Sequence, residues 1–167
     1  APMMGHTDLH FRYLLRLISK KTMLYTEMVA SNSILHNKSK KLNKLERNKD
    51  NPVGFQLGGD NPEQLAECAK IVESHGYNEI NLNIGCPSKR AQSGNFGACL
   101  FSQPELVAKC VDKISKSTSL PITVKTRLGI DNFDNINYLK DFINTVSSAG
   151  VETFHLHARK AILKKGI

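Results

Sequence analysis

The chain has 167 residues, of which 40% are hydrophobic and none is tryptophan, and its net charge is +8. This length suits one hydrophobic core, and no apolar run is long enough to predict a membrane-spanning helix. The four cysteines form no CxxC pair, so we expect neither a disulfide framework nor a metal site. We also expect the protein in a reducing, cytoplasmic compartment, where free cysteines are usual.

The positive charge is concentrated near the start of the chain. Residues 1–50 contain ten Lys and Arg residues but only four Asp and Glu residues, and the stretch Lys38–Lys49 is the densest part. A basic run of this kind is most often a solvated surface, but it is also typical of proteins that bind polyanions such as nucleic acids. Charge alone leaves both possibilities open.

Strand-like and helix-like segments alternate along the chain. The predicted helices are Asp8–Ile18, Pro62–Ser74, Pro104–Lys116 and Asn135–Ser147. The predicted strands between them are Met23–Val29, Val53–Leu57, Glu79–Ile84, Ile122–Thr126 and Thr153–His157. This alternation favours a parallel sheet covered by helices, as either an open doubly wound sheet or a (β/α)8 TIM barrel.

Three of the helices have recognisable start signals. Thr7 is the expected cap of the first helix, and Asn61 caps the second, with proline at the first helical position. Ser102 and Glu105 have the spacing of a capping box before the third helix.

Polar or unusual residues stand at the ends of nearly all the predicted strands, if residues 1–4 are counted as the tail of a first strand. They include Glu27, Gln56, Asn83, Cys86, Lys125, Arg127, His155 and His157. Functional residues spread over the carboxyl ends of many strands indicate a barrel, whereas an open sheet usually carries a GxGxxG turn after its first strand. The chain has no such turn, so we predict a TIM barrel.

The segment from Glu79 to Leu100 (EINLNIGCPSKRAQSGNFGACL) carries most of the functional information. Its strand leads directly into Gly85-Cys86-Pro87, a constrained turn on which the thiol of Cys86 can project into a site. A free cysteine is more often a small buried hydrophobic residue. The other motifs of the chain are therefore needed to favour a catalytic role for Cys86 over a packing role.

Seven segments together resemble the tRNA-dihydrouridine synthases, and two of their variants, FGACL and YTEM, resemble the A-type subfamily. The seven segments are APMM, LYTEM, FQLGG, INLNIGCPS, GNFGACL, VKTRLGID and HARKA, and they occur in the family's order over essentially the whole chain. The resemblance implies a TIM-barrel enzyme that uses FMN, with NADPH as electron donor. Such an enzyme reduces the C5=C6 bond of a uridine in the D-loop of tRNA.

The resemblance also assigns roles to individual residues. Cys86 resembles the family's proton donor, which protonates C5 of the uracil after hydride reaches C6; an ordinary thiol is mostly protonated at neutral pH and suits this task. Cys99, by contrast, is expected to pack in the core. Asn83 and Arg127 are expected to face the substrate uridine.

The expected flavin contacts come from three parts of the chain. Lys125 resembles the lysine at the pyrimidine edge of the flavin, and Gln56 resembles the glutamine that hydrogen-bonds the ring. His157 resembles a histidine near the ribityl phosphate, while His155 is expected to be a satisfied polar residue. The segment of Pro2, Met3 and Met4 resembles the first-strand stretch that contacts the flavin.

The target base must leave the tRNA stack to reach a flavin, so basic residues are expected to contact tRNA phosphates. The candidates are Lys38–Lys49, Lys89, Arg90 and Lys160–Lys165.

The chain is shorter than the roughly 200 residues that a TIM barrel needs. We therefore expect residues 1–167 to be an N-terminal part of a synthase, with about strands 1–6 of the barrel and without its last strands or the helical tRNA-binding domain. The isolated chain is expected to bind FMN weakly or not at all, to tend to aggregate and not to make dihydrouridine, whereas the full-length enzyme is expected to be a monomer.

Two alternatives remain open on the sequence. An FMN-dependent dehydrogenase of free pyrimidines would also use a flavin, a lysine and a cysteine, but it would need no basic surface. A truncated RNA-binding remnant without catalysis would retain tRNA binding and show no flavin spectrum.

Overall fold

The computed structural model describes residues 2–36 and 51–163, and their strands form one parallel sheet. The strands are β1 (Leu24–Tyr25), β2 (Val29–Ala30), β3 (Val53–Gly58), β4 (Glu79–Ile84), β5 (Ile122–Arg127) and β6 (Thr153–His157). Their order is β1-β3-β4-β5-β6, and β2 pairs with β3 beyond β1. Strands that follow one another in sequence order with crossover helices confirm the prediction of an incomplete TIM barrel.

Helices connect the strands and cover one face of the sheet. They are α1 (Leu9–Ile18), α2 (Ser31–Leu35), α3 (Pro62–Ser74), α4 (Lys89–Ser93), α5 (Pro104–Ser115) and α6 (Ile136–Ser147), with a 3-10 helix at Gly97–Ser102. The short elements α2, α4 and the 3-10 helix were not predicted, because none is long enough to show helical periodicity. None of the described helices is long and apolar enough to cross a membrane.

The outer face of the sheet is apolar and forms the core with three helices. From the strands it receives Val53, Phe55, Leu57, Ile80, Leu82, Ile84 and Val124, and from the helices Leu65, Val72, Val107, Val111, Ile114, Phe142 and Val146. Complete burial of a large apolar side chain such as Phe55 contributes about 1.5–3 kcal/mol. This layer therefore holds the strands in place.

The inner face of the same strands is polar. Since side chains alternate across a strand, the register of Gln56 with Asn81, and of Asn81 with Thr123, places these residues in one inward-facing layer. The next layer toward the carboxyl ends contains Asn83 and Lys125. The sheet thus presents hydrogen-bonding groups toward the barrel axis and apolar groups toward the helices.

The predicted strand Met23–Val29 is divided in two, because Thr26 takes part in side-chain hydrogen bonds. The hydroxyl of Thr26 accepts a hydrogen bond from the backbone N–H of Gln56 at 3.0 Å and donates to the carbonyl of Glu27 at 2.8 Å. These bonds interrupt the regular ladder between β1 and β2.

The predicted first strand is wrong for residues 2–4, because Pro2 and Met3 have no regular secondary structure and a turn begins at Met4. The backbone N–H of Thr7 donates to the carbonyl of Met3 at 2.9 Å, and the N–H of Met3 donates to the hydroxyl of Thr7 at 3.0 Å. Thr7 therefore closes this turn rather than capping α1. Asp8 is the cap, and it accepts from the N–H of Phe11 at 2.8 Å.

The capping box predicted before the third helix is also wrong. Gln103 occupies the cap position without a side-chain hydrogen bond, and the hydroxyl of Ser102 donates instead to the carbonyl of Cys99 at 3.1 Å. The 3-10 helix ahead of α5 places Ser102 too early to reach the helix start. The second helix and its Asn61 cap are confirmed.

Candidate active site at the carboxyl ends of the strands

A cleft of about 370 Å³ lies where the carboxyl ends of β3–β6 meet the turn at residues 2–7. It is lined by Pro2, Met3, Met4, Met28, Gln56, Asn83, Gly85, Cys86, Pro87, Lys125, Arg127 and His157. The structure therefore brings together the predicted proton donor, all the predicted flavin residues and both predicted uridine contacts. Its volume is in the range of small-molecule sites.

The turn that carries Cys86 is held on both sides. The side-chain oxygen of Asn83 accepts hydrogen bonds from the backbone N–H groups of Gly85 at 3.0 Å and Cys86 at 2.9 Å. The carbonyl of Cys86 accepts from the N–H of Ala98 at 2.9 Å. Gly97 approaches this carbonyl with φ of +81°, and a Cβ there would lie 2.5 Å from the carbonyl oxygen, so only glycine fits.

The thiol of Cys86 is half-buried and lies 3.3 Å from the hydroxyl of Ser88, to which it can donate. Ser88 also caps α4, where it accepts from the N–H of Ala91 at 3.2 Å. Sequence reasoning did not assign Ser88 to the site, although serine directly before a helical segment is a usual cap signal. This hydrogen bond sets the direction of the thiol.

Gln56 is fully buried and its amide is held from two sides. Its nitrogen donates to the side-chain oxygen of Asn81 at 2.7 Å, and its oxygen accepts from the side-chain nitrogen of Asn83 at 2.9 Å. The same Asn83 thus contacts both Gln56 and the Cys86 turn. The amide wall of the cleft and the thiol are parts of one hydrogen-bonded arrangement.

Two cations line the cleft on β5. Arg127 donates through Nε to the carbonyl of Gly85 at 2.7 Å, which joins β5 to the Cys86 turn. Lys125 is half-buried, and burial together with the nearby charge of Arg127 lowers its pKa, against a smaller opposing effect of Cys86. A partly desolvated ammonium group interacts strongly with an anionic or carbonyl-rich ligand.

The two histidines of β6 have different surroundings. His157 lines the cleft, and the positive charge of Arg127 lowers its pKa, with smaller contributions from desolvation, Lys125 and Arg159. His157 is therefore biased toward its neutral form. His155 lies 3.1 Å through Nε2 from the hydroxyl of Tyr25, so it has a polar partner as expected.

The N-terminal turn is attached to the cleft through Glu27, whose carboxylate accepts from the backbone N–H of Gly5. This contact holds Met3 and Met4 over the cleft, beside Met28. Sequence reasoning identified Glu27 only as a strand end and did not identify Met28. Their position after β1 is the signal that could have indicated both.

Lys89 and Arg90 lie outside the main cleft, on the exposed surface of α4. Arg90 and Phe96 line a second cavity of about 310 Å³, which shares Cys86 with the main cleft. Lys160 forms an ion pair with Asp134 at 2.6 Å, which reduces its availability for phosphate. The stretch Lys38–Lys49 and the last basic residues after 163 lie outside the described residues.

Among the residues that the structure describes, no group of His, Cys, Asp or Glu is arranged to hold a metal ion. Cys99 is half-buried, with its sulfur 3.2 Å from the carbonyl of Phe96, and burial raises its pKa. Its setting is that of a packing residue.

Comparisons with known proteins show the family of the chain. The sequence profile of the family described as dihydrouridine synthase (Dus) matches residues 1–165. The chain is 53% identical to the tRNA-dihydrouridine(20/20a) synthase of Synechocystis sp. over 164 residues, which are 98% of this chain and 49% of that relative. It is 55% identical to the synthase of the same name from Salmonella typhi, over 98% of this chain and 49% of the relative.

The synthase of the same name from Escherichia coli K12 is 54% identical, over 98% of this chain and 47% of the relative. The chain therefore spans about half the length of the curated relatives that it matches. With a family profile matched from residue 1 to residue 165 and relatives above half identity, the chain belongs to the dihydrouridine synthase family.

Proposed function

We propose that this chain forms the N-terminal part of an FMN-dependent tRNA-dihydrouridine synthase, which reduces a D-loop uridine with electrons from NADPH. The observation that carries the proposal is the cleft itself, where a thiol, two cations and two amides meet three methionines. The name of the relatives, tRNA-dihydrouridine(20/20a) synthase, supports the same substrate class.

The residues of the cleft suit FMN. Met3, Met4 and Met28 offer a soft apolar surface for a flat ring, since methionine adapts its shape to aromatic partners. The opposite wall offers the Gln56 amide and the Lys125 ammonium, which match an edge rich in carbonyls and ring nitrogens. When bound, FMN supplies the hydride that the uracil ring needs.

We propose that Pro2, Met3 and Met4 hold one face of the flavin, and that Gln56 and Lys125 bind its pyrimidine edge. His157, biased toward the neutral form by its cationic neighbours, can accept a hydrogen bond or donate one to the ribityl chain or phosphate. The lowered pKa of Lys125 reflects burial, and an acceptor-rich ligand would offset that cost by pairing with the ammonium.

Cys86 is proposed to donate a proton to C5 of the uracil. The brace from Asn83 holds the turn that carries the sulfur, and the thiol proton, which the Ser88 hydroxyl accepts in this structure, would turn toward C5 when the base is bound. Asn83 and Arg127, which hold the Cys86 turn from two sides, also line the cleft and are proposed to contact the uracil. Preorganised donors of this kind stabilise developing charge without rearrangement.

The tRNA is proposed to lie across α4, with Lys89 and Arg90 against its phosphates. Both side chains are exposed beside the cavity next to Cys86, so a backbone passing there could deliver an extruded base to the thiol. Because the relatives are about twice as long, we also propose that the rest of the barrel and a helical tRNA-binding domain lie outside these 167 residues. The complete enzyme is proposed to be a cytoplasmic monomer.

The proposal is tested on the full-length protein, meaning the protein encoded by the complete gene that contains this chain. We expect a flavin absorption spectrum after purification and dihydrouridine in tRNA, from a strain lacking the modification, after incubation with NADPH. Free uracil serves as the control substrate. Reduction of free uracil without modification of tRNA would favour a pyrimidine dehydrogenase, and tRNA binding without flavin would favour a non-catalytic remnant.

A further inference from the structure

Glu79, at the start of β4, is a buried acid on the inner face of the sheet that the proposed chemistry does not use. Its carboxylate accepts a hydrogen bond from the hydroxyl of Thr123 at 2.5 Å. It also contacts Tyr25, whose pKa is raised by burial first and by the Glu79 carboxylate second. A buried carboxylate is costly unless it is hydrogen-bonded, so its place below the cleft calls for a physical explanation.

A continuous chain of side-chain hydrogen bonds leads from Glu79 to the cleft. The side-chain nitrogen of Asn81 donates to the Thr123 hydroxyl at 2.7 Å, and the nitrogen of Gln56 donates to the oxygen of Asn81 at 2.7 Å. The nitrogen of Asn83 donates to the oxygen of Gln56 at 2.9 Å. The oxygen of Asn83 then accepts from the backbone N–H of Cys86 at 2.9 Å.

The two ends of this chain determine the direction of every bond in it. The hydroxyl of Thr123 gives its single proton to the carboxylate of Glu79, so its oxygen is left to accept from Asn81. The oxygen of Asn81 therefore faces Gln56, and the oxygen of Gln56 faces Asn83. At the other end, the backbone N–H groups of Gly85 and Cys86 can only donate, which requires the oxygen of Asn83.

An isolated amide has no such preference, because turning it over exchanges a donor for an acceptor in nearly the same shape. In this chain each of the three amides has its oxygen occupied by a neighbour within the network. The donors that remain for a ligand at the cleft are the second N–H groups of Gln56 and Asn83, beside the cation of Lys125. This pattern of donors suits the carbonyl-rich edge of a pyrimidine or a flavin.

We propose that Glu79 is a positioning residue that acts through Thr123 and Asn81 to fix which atoms Gln56 presents to the ligand, while Asn83 is held by the backbone N–H groups of Gly85 and Cys86. The ligand in question rests on the proposed function, whereas the orientation of the amides does not. The role requires an acceptor at position 79, and it does not require a proton to move.

The test compares FMN affinity among variants of the full-length protein. Glu79→Met keeps the volume but removes the acceptor, so the Thr123 hydroxyl is released and the amides of Asn81 and Gln56 keep only their anchor at Asn83; we expect FMN affinity to fall about tenfold, as for a lost hydrogen bond. Thr123→Val cuts the chain at its first link and should cause a similar loss. Combining the two should add little, because both break one chain.

Two control variants separate this role from a general effect on folding. Glu79→Gln still offers an oxygen to Thr123 and should keep FMN affinity within about threefold of wild type. Tyr25→Phe removes the other partner of Glu79 but leaves the chain intact, so it should bind FMN as wild type does. Equal losses in Glu79→Met and Glu79→Gln, or no loss in Glu79→Met, would overturn the proposal.

A second readout does not depend on flavin. The side-chain NH2 signals of Asn81 and Gln56, recorded by NMR in the flavin-free protein, should shift in Glu79→Met and stay in place in Glu79→Gln, while those of Asn83, which the backbone anchors, should move little. If the wild-type protein binds no FMN, the proposed function fails, and these signals alone judge the role of Glu79. Unchanged amide signals in Glu79→Met would then reject it.

Discussion

Strands β3 and β6 occupy contrasting positions in the same sheet. All six residues of β3 are buried, and the strand pairs with β1, β2 and β4. Strand β6 pairs only with β5 among the described residues, and three of its five residues are exposed. Among the described residues, the cleft therefore has a braced wall, in which hydrogen bonds hold Gln56, Asn83 and Cys86, and a second wall at His157 on a less covered strand.

The largest expected effect tests the packing side of this contrast with a matched pair of leucines. Leu57→Ala on β3 removes a completely buried side chain and should lower the free energy of unfolding by about 2–5 kcal/mol. Leu156→Ala on β6, where the side chain is 45% exposed, should cost less than about 1 kcal/mol. Urea unfolding of the 167-residue chain measures both. Equal losses would mean that β6 is covered as fully as β3.

The next effect concerns the catalytic side of the braced wall. Cys86→Ala should leave FMN binding and its reduction by NADPH unchanged in the full-length protein, while dihydrouridine formation falls about 100-fold or more, as for a lost general acid. Cys99→Ala is the matched control, since this thiol is half-buried against Phe96 and should not affect turnover. An equal loss in Cys99→Ala with an active Cys86→Ala variant would reverse the two assignments.

The smallest effect concerns Lys125, which lies between the two walls. Lys125→Met should weaken FMN affinity about tenfold and make the flavin midpoint potential more negative, because the reduced ring loses a neighbouring cation. Since its pKa is lowered, this cation is lost at a lower pH than that of an ordinary lysine. FMN affinity should therefore decline as the pH rises through that pKa.

Lys125→Arg keeps a positive charge at all accessible pH values and should remove this alkaline decline, even if its bulk lowers the affinity itself. Titrations of FMN against the flavin-free protein at several pH values make the comparison. A flat pH profile in the wild-type protein, or an unchanged midpoint potential in Lys125→Met, would remove Lys125 from the flavin edge.

The sequence predicts the buried, regular elements of the structure better than the parts that depend on individual hydrogen bonds. Strands β3 to β6 begin at the predicted residues, and α3 matches its predicted bounds, because long buried elements with clear periodicity determine their own limits. The interruption of β1 and β2 and the turn at residues 2–7 were not predicted. They depend on hydrogen bonds of Thr26 and Thr7, and the partner of Thr26 is thirty residues away in the chain.

The candidate site was predictable where a strand end carried an unusual residue, as at Gln56, Cys86 and Lys125. Ser88 and Glu79 were missed for a physical reason. Their importance lies in which hydrogen bonds they accept, and neither residue type signals its partner before the strands are placed in register.

The division of the sheet into an apolar outer face and a polar inner face has a consequence for synthesis of the protein. Relatives of about twice this length can begin to fold at the N-terminal half while the second half is still being translated. In this half-barrel α3, α5 and α6 already cover the apolar outer face of the central strands, while the polar inner face can be hydrated. We therefore expect the first half to be close to its final structure while the chain is still bound to the ribosome. Water would hydrate the amides of its inner face until the remaining strands are added.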